Sequence, residues 1–92
     1  MHREGTHVIR SAKGSTLFDE DGRELLDGLA GLWCVNVGYG REEIAKAVFE
    51  QMRAVAFYPS FFNTTTEPTI RLSAKLAEHA PPGLQHTIFS NS

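Results

Sequence analysis

The chain has 92 residues, 41% of them apolar and 22% charged, with a formal net charge of −2 and one cysteine. This is ordinary globular composition, with no basic excess to attract nucleic acid or an anionic membrane and no stretch near the roughly 20 apolar residues of a membrane span. One cysteine excludes an internal disulfide, and a length of 92 residues makes a single small domain or a piece of a larger protein.

Met1-His2-Arg3-Glu4-Gly5 has no apolar run and reads as no signal peptide, so a cytoplasmic location is the default expectation. His7-Val8-Ile9-Arg10 is a short β-prone run closed by the Lys13-Gly14 turn signal. Ser15 to Asp19 is expected to form a second strand and Arg23 to Asp27 a third, joined at Asp21-Gly22, where both residues tolerate positive φ. The expectation is a small antiparallel meander.

From Asp27 to Gly40 the pattern changes. This stretch holds four of the eight glycines and the sole tryptophan and cysteine. Glycine at that density favours turns and close approach of backbone. Yet Leu29, Leu32, Trp33, Val35 and Val37 are too apolar for a solvated loop. Such a segment belongs against a core, a partner subunit or a ligand.

After Gly40 the period becomes helical. Ile44, Val48, Met52 and Val55 form one stripe, and Glu42, Lys46, Glu50 and Arg53 another with alternating charge. A helix from Arg41 to Ala54 follows, with Glu42 and Glu43 favouring its N-terminal dipole. Its apolar stripe reads as a core-facing surface. Phe57, Tyr58, Phe61 and Phe62 then crowd around Pro59, which biases Tyr58 to an extended backbone. A second helix is expected from Thr66 as N-cap, with Pro68 in its first turn and Pro81-Pro82-Gly83 as its stop. Its buried stripe is Ile70, Ala74 and Ala77. Gln85 to Ser90 reads as a last strand.

Several chemistries can be weighed from the residues. Gly38-Tyr39-Gly40 before a helix has part of a phosphate-loop pattern, but position 43 is glutamate and Glu42 and Glu43 would repel a phosphate. His2, His7, His79 and His86 have no spacing that pairs two on one helical face, and with Cys34 they make no recognisable metal site. Cys34 reads as a small buried hydrophobe. No Ser/His/Asp order or elbow sequence stands out. Asn63-Thr64-Thr65 matches a glycosylation acceptor, a match without weight in a chain lacking a secretory signal. Trp33, Tyr58, Phe61 and Phe62 have core packing as their plain reading. Their position in irregular segments beside glycine and proline points instead to pockets or interfaces.

The Asp27–Gly40 stretch, the run from Phe57 to Phe62 and the closing Ile88-Phe89-Ser90-Asn91-Ser92 together resemble the N-terminal part of a class III aminotransferase, of the ω-amino acid:pyruvate transaminase type. The resemblance covers about Gly5 to Ser92. It implies the aspartate aminotransferase fold and pyridoxal phosphate as cofactor. By the same resemblance, Leu32 and Trp33 match walls of the substrate pocket of their own subunit. Phe61 and Phe62 match residues that reach across a homodimer interface into the partner's pocket. Ser92 matches the residue just before a Gly-Ser pair that holds the cofactor phosphate at a helix N-terminus.

The chain also departs from the family pattern. It stops before that Gly-Ser pair, and none of Lys13, Lys46 and Lys75 matches the lysine that forms the Schiff base with the cofactor. The sequence is therefore expected to be the N-terminal segment of a transaminase, inactive alone. It would carry pocket walls and dimer contacts for an amino donor and a keto acid acceptor. A stand-alone, non-catalytic interaction module that keeps the segment's fold is the alternative. The fold expected is α+β: a three-stranded antiparallel meander, two helices and a final strand that would join a larger, mostly parallel sheet in the parent.

Overall fold

A computed structural model describes residues 5–91. The expected reading of Ser92 beside a cofactor phosphate lies outside the described residues, as does His2. Three strands, β1 (Ile9–Lys13), β2 (Thr16–Asp19) and β3 (Glu24–Leu26), are followed by three helical segments, α1 (Ala30–Trp33), α2 (Glu42–Ala54) and α3 (Glu67–His79). The architecture is mixed α+β, as expected from the sequence. The chain divides into two compact units, Met1–Gln51 and Met52–Ser92.

In the first unit the strands form an antiparallel sheet in the order β1-β2-β3. Lys13 pairs with Thr16 at the tight β1–β2 turn, and Phe18 pairs with Glu24 across the next. A bulge between Ile9 and Ser11 shifts the first ladder. The first strand starts later than the sequence suggests and includes Lys13, which lies at the strand end and not in the turn. The β2–β3 loop is built around Asp19, the one buried polar residue among those described, at 3% exposure. Its Oδ1 accepts the amides of Asp21 (3.0 Å) and Arg23 (2.8 Å), and its Oδ2 accepts Arg23 Nε at 2.9 Å. Aspartate at the head of a turn binds the backbone two residues on, which is why this residue type suits the position. Burial pulls the Asp19 carboxyl upward, but the bonds from Arg23 and Asp21 outweigh it and hold the group below its ordinary 3.8.

α2 starts at Glu42, one residue after the expected boundary, with Glu42 and Glu43 in its first turn and Arg53 in its last. In the second unit α3 starts after Thr66, which sits at the N-cap position with extended backbone, and Pro68 follows in the first turn. The Thr66 hydroxyl does not cap a helix amide; it meets the Thr69 hydroxyl at 2.8 Å. α3 stops at Ala80, ahead of Pro81-Pro82-Gly83.

Two differences from the sequence reading stand out. Residues 84–91 adopt no paired strand. A strand exists through its ladder, and no described strand pairs with this segment. Likewise no apolar side chain is buried among the described residues. Ile44, Val48 and Met52 on α2 and Ile70 on α3 are all exposed, so the stripes form at helical spacing without the core they were expected to face.

Candidate substrate-pocket segments

The Asp27–Gly40 segment is fastened at both ends to the β1–β2 turn. The Asp27 amide donates to the Ser15 carbonyl at 2.8 Å. At the other end Tyr39 and Gly14 exchange both backbone hydrogen bonds, each at 2.9 Å. Gly38 allows this approach, since a Cβ there would lie 3.3 Å from the Gly14 carbonyl oxygen. The Tyr39 amide is thus committed to Gly14.

Between these anchors lies α1, whose four residues all have positive φ: Ala30 at 50°, Gly31 at 57°, Leu32 at 61° and Trp33 at 68°. It is one turn of left-handed helix. For residues other than glycine this conformation costs about 1–2 kcal/mol each, and it usually occurs at single positions. Such backbone persists only where the surroundings over-determine it.

The surroundings here are Asp27 and Tyr39. Asp27 Oδ1 accepts the Leu29 amide at 2.9 Å. Its Oδ2 accepts the Gly31 amide at 2.9 Å and the Tyr39 hydroxyl at 2.6 Å. Inside the turn, Trp33 and Cys34 amides donate to the Leu29 and Ala30 carbonyls at 3.0 and 2.9 Å. Gly31 suits this corner on two counts. Its φ is left-handed, and a Cβ would sit 2.7 Å from the Tyr39 hydroxyl oxygen. The Tyr39 hydroxyl bond, followed by the Leu29 amide, holds the Asp27 carboxyl below its ordinary 3.8. The same bond, with burial, raises the Tyr39 phenol above its ordinary 10.0.

The turn presents Leu32 at 66% and Trp33 at 79% exposure. Cys34 is exposed as well, its Sγ 3.4 Å from the Leu32 carbonyl oxygen, which overturns the reading of Cys34 as a buried hydrophobe. The left-handed turn carries it outward with its neighbours.

In the second unit, Phe61 and Phe62 stand edge to face, with ring centres 5.2 Å apart at 76°. Phe62 and Asn63 both have left-handed φ, 59° and 62°. Thr64 braces this bend: its hydroxyl lies 2.8 Å from the Pro59 carbonyl oxygen and 2.7 Å from that of Phe61. Phe62 is left 86% exposed, whereas Phe61 lines an open apolar groove with Phe57, Ile70, Leu72, Ile88 and Phe89. The structure therefore brings Leu32 together with Trp33, and Phe61 with Phe62, each pair in its own unit.

Sequence reasoning singled out the four displayed side chains but not the residues that hold them. Asp27-Gly28 carried an Asx-turn signal, whereas Thr64 bonds backwards to the Pro59 and Phe61 carbonyls, which no local turn signal announces. Nothing local marked Tyr39 as the partner of Asp27, twelve residues away.

Among the described residues no group of three histidine, cysteine or acidic side chains is placed to hold a metal ion, and no helix is long and apolar enough to cross a membrane.

The family model for class III aminotransferases matches residues 1–92. A putrescine–pyruvate aminotransferase of Pseudomonas aeruginosa is 44% identical over 92 residues, all of this chain and 20% of that protein. The crystal structure of a thermostable (S)-enantioselective omega-transaminase from Thermomicrobium roseum superposes with a TM-score of 0.85 at 50% identity, covering 91% of this chain and 19% of that one. An amine transaminase from an uncultivated Pseudomonas species, solved in its PLP-bound internal aldimine form, superposes with a TM-score of 0.76 at 33% identity, covering 85% of this chain and 18% of that one. The chain spans about a fifth of the length of these relatives.

Proposed function

Since this chain belongs to the class III aminotransferase family, we propose that it is the N-terminal segment of a pyridoxal-phosphate-dependent enzyme that moves an amino group from an ω-amino acid or amine to a keto acid such as pyruvate. Its share of that enzyme is recognition. Leu32 and Trp33 form a wall of the substrate pocket of their own subunit. Phe61 and Phe62 serve the pocket of the partner in a homodimer, and Ser92 adjoins the cofactor phosphate. The observation that carries this reading is the display of Leu32 and Trp33 on a strained left-handed turn. A packing role alone would not call for such a backbone, whereas strain of this kind clusters at ligand sites. The pyruvate in the name of the Pseudomonas aeruginosa relative supports the choice of acceptor. The reading of residues 1–92 as one N-terminal segment, a single small domain or a fragment, and the cytoplasmic location expected from the sequence are part of the same proposal.

Bound pyridoxal phosphate supplies the electron sink for amino-group chemistry. The lysines of this chain do not fit the Schiff-base role. Lys13 ends β1, Lys46 lies exposed on α2, and Lys75 lies exposed on α3 with Nζ 3.6 Å from Glu78. The ground for this reading is that none of the three matches the family's Schiff-base position in the sequence. The chain alone is proposed to be inactive.

The test is Trp33→Ala in the whole enzyme. A pocket wall changes the ratio of kcat/KM between a bulky aromatic amine and a small ω-amino acid by about 1–3 kcal/mol. A core tryptophan instead loses about 3–5 kcal/mol of stability when truncated. A large fall in Tm with an unmoved ratio would make Trp33 structural and end this reading.

A further inference from the structure

We infer that Asp27 and Tyr39 are positioning residues: with Gly31 they lock the left-handed turn and so fix where Leu32 and Trp33 stand. As far as it concerns substrate choice, this rests on the pocket reading of Leu32 and Trp33.

Four observations converge. Four successive positive φ values need an outside constraint, and the Asp27 carboxylate, on the turn's own amides at Leu29 and Gly31, provides it. That carboxylate is itself aimed by the Tyr39 hydroxyl at 2.6 Å. Tyr39 in turn is fixed by paired backbone bonds to Gly14, and Asp27 by its amide to Ser15, so the lock stands on the β1–β2 turn. The missing Cβ at Gly31 is the space through which the hydroxyl reaches the carboxylate. Neither Asp27 nor Tyr39 needs to touch substrate for this effect. A shift of about 1 Å in a positioned group is enough to change turnover and selectivity.

The experiment uses the whole holoenzyme with Tyr39→Phe and Asp27→Asn, and Trp33→Ala as reference. Hydrogen exchange read by mass spectrometry on a peptide spanning residues 27–40 reports the lock directly. A peptide within α3 (Glu67–His79), which makes no bond to the lock, is the internal control for folding. Both lock variants are expected to exchange faster in 27–40 with the control unchanged. They should also move the kcat/KM ratio between 1-phenylethylamine and β-alanine about tenfold, through KM more than kcat. In the double variant with Trp33→Ala the lock substitution should add less than it does alone, since only its effect through Leu32 is left. Unchanged exchange in 27–40 would overturn the lock. Faster exchange with an unmoved ratio, while Trp33→Ala moves it, would overturn the positioning role alone. An unmoved ratio in Trp33→Ala itself would overturn the pocket reading instead.

Discussion

Asp27 serves three donors with two oxygens, and that makes the segment sensitive to pH at both extremes. Its carboxyl is held below 3.8, so its contribution to the fold is complete above that value and fades as the pH falls through the folded-state pKa. Tyr39 is the reverse case. Its phenol is raised above 10.0, so its contribution is complete below that value and disappears as the pH rises through the folded-state pKa. Titrating tyrosinate absorbance, with Tyr39→Phe as the blank, should show Tyr39 ionising above 10.0 and returning towards it in Asp27→Asn. An unaltered Tyr39 titration in Asp27→Asn would contradict the 2.6 Å bond. Gly31→Ala tests the same corner sterically. A left-handed alanine costs about 1–2 kcal/mol, and here its methyl also meets the Tyr39 hydroxyl. Removing that hydroxyl with Tyr39→Phe should therefore soften the Gly31→Ala penalty, and additive Tm losses would refute the clash. From sequence alone the glycine count marked this stretch as irregular and its apolar residues as needing contact. The Asp27–Tyr39 bond stayed hidden because it joins positions twelve apart with no periodic relation.

The elements were more legible, and for physical reasons. The charged and apolar rows of α2 repeat at three and four residues, so helix was the one conformation that sorts them into faces. The meander could be read because Asp21-Gly22 sits between two short β-prone runs, although the ladder places the first strand later, at Ile9–Lys13. Thr66 shows where the residue-type rule stops. It occupies the N-cap position, but its hydroxyl is turned to Thr69. Thr66→Ala should then cost less than the roughly 1 kcal/mol of a lost capping bond, within about 0.5 kcal/mol of the parent chain. Amide hydrogen exchange in the first turn of α3 measures it, and a loss above that range would mean the hydroxyl caps α3 in solution. The final strand could not be settled locally. Gln85 to Ser90 has the residues for a strand, but strands are made by partners, and this one has none among the described strands.

At the scale of the whole chain, the decisive fact is that no described apolar residue is buried while Leu26, Trp33, Phe49, Met52, Phe57, Phe62 and Ile88 are all exposed. Soluble monomers seldom expose contiguous apolar patches beyond a few hundred Å². On the proposed reading such residues would be covered by the rest of the enzyme and by a second subunit; the chain spans about a fifth of its relatives' length. The 92-residue chain studied alone should therefore seek substitutes for that cover. Light scattering should show its mean mass rising with concentration, and an apolar-surface dye should bind and brighten. Its thermal transition should be broad, because cooperative melting depends on a shared buried core and the ordering entropy here is opposed mainly by sheet and helix hydrogen bonds. A sharp transition from a monodisperse monomer that ignores the dye would mean that these side chains pack on one another in solution. In that case the core reading of Trp33, Phe61 and Phe62 would replace the pocket reading.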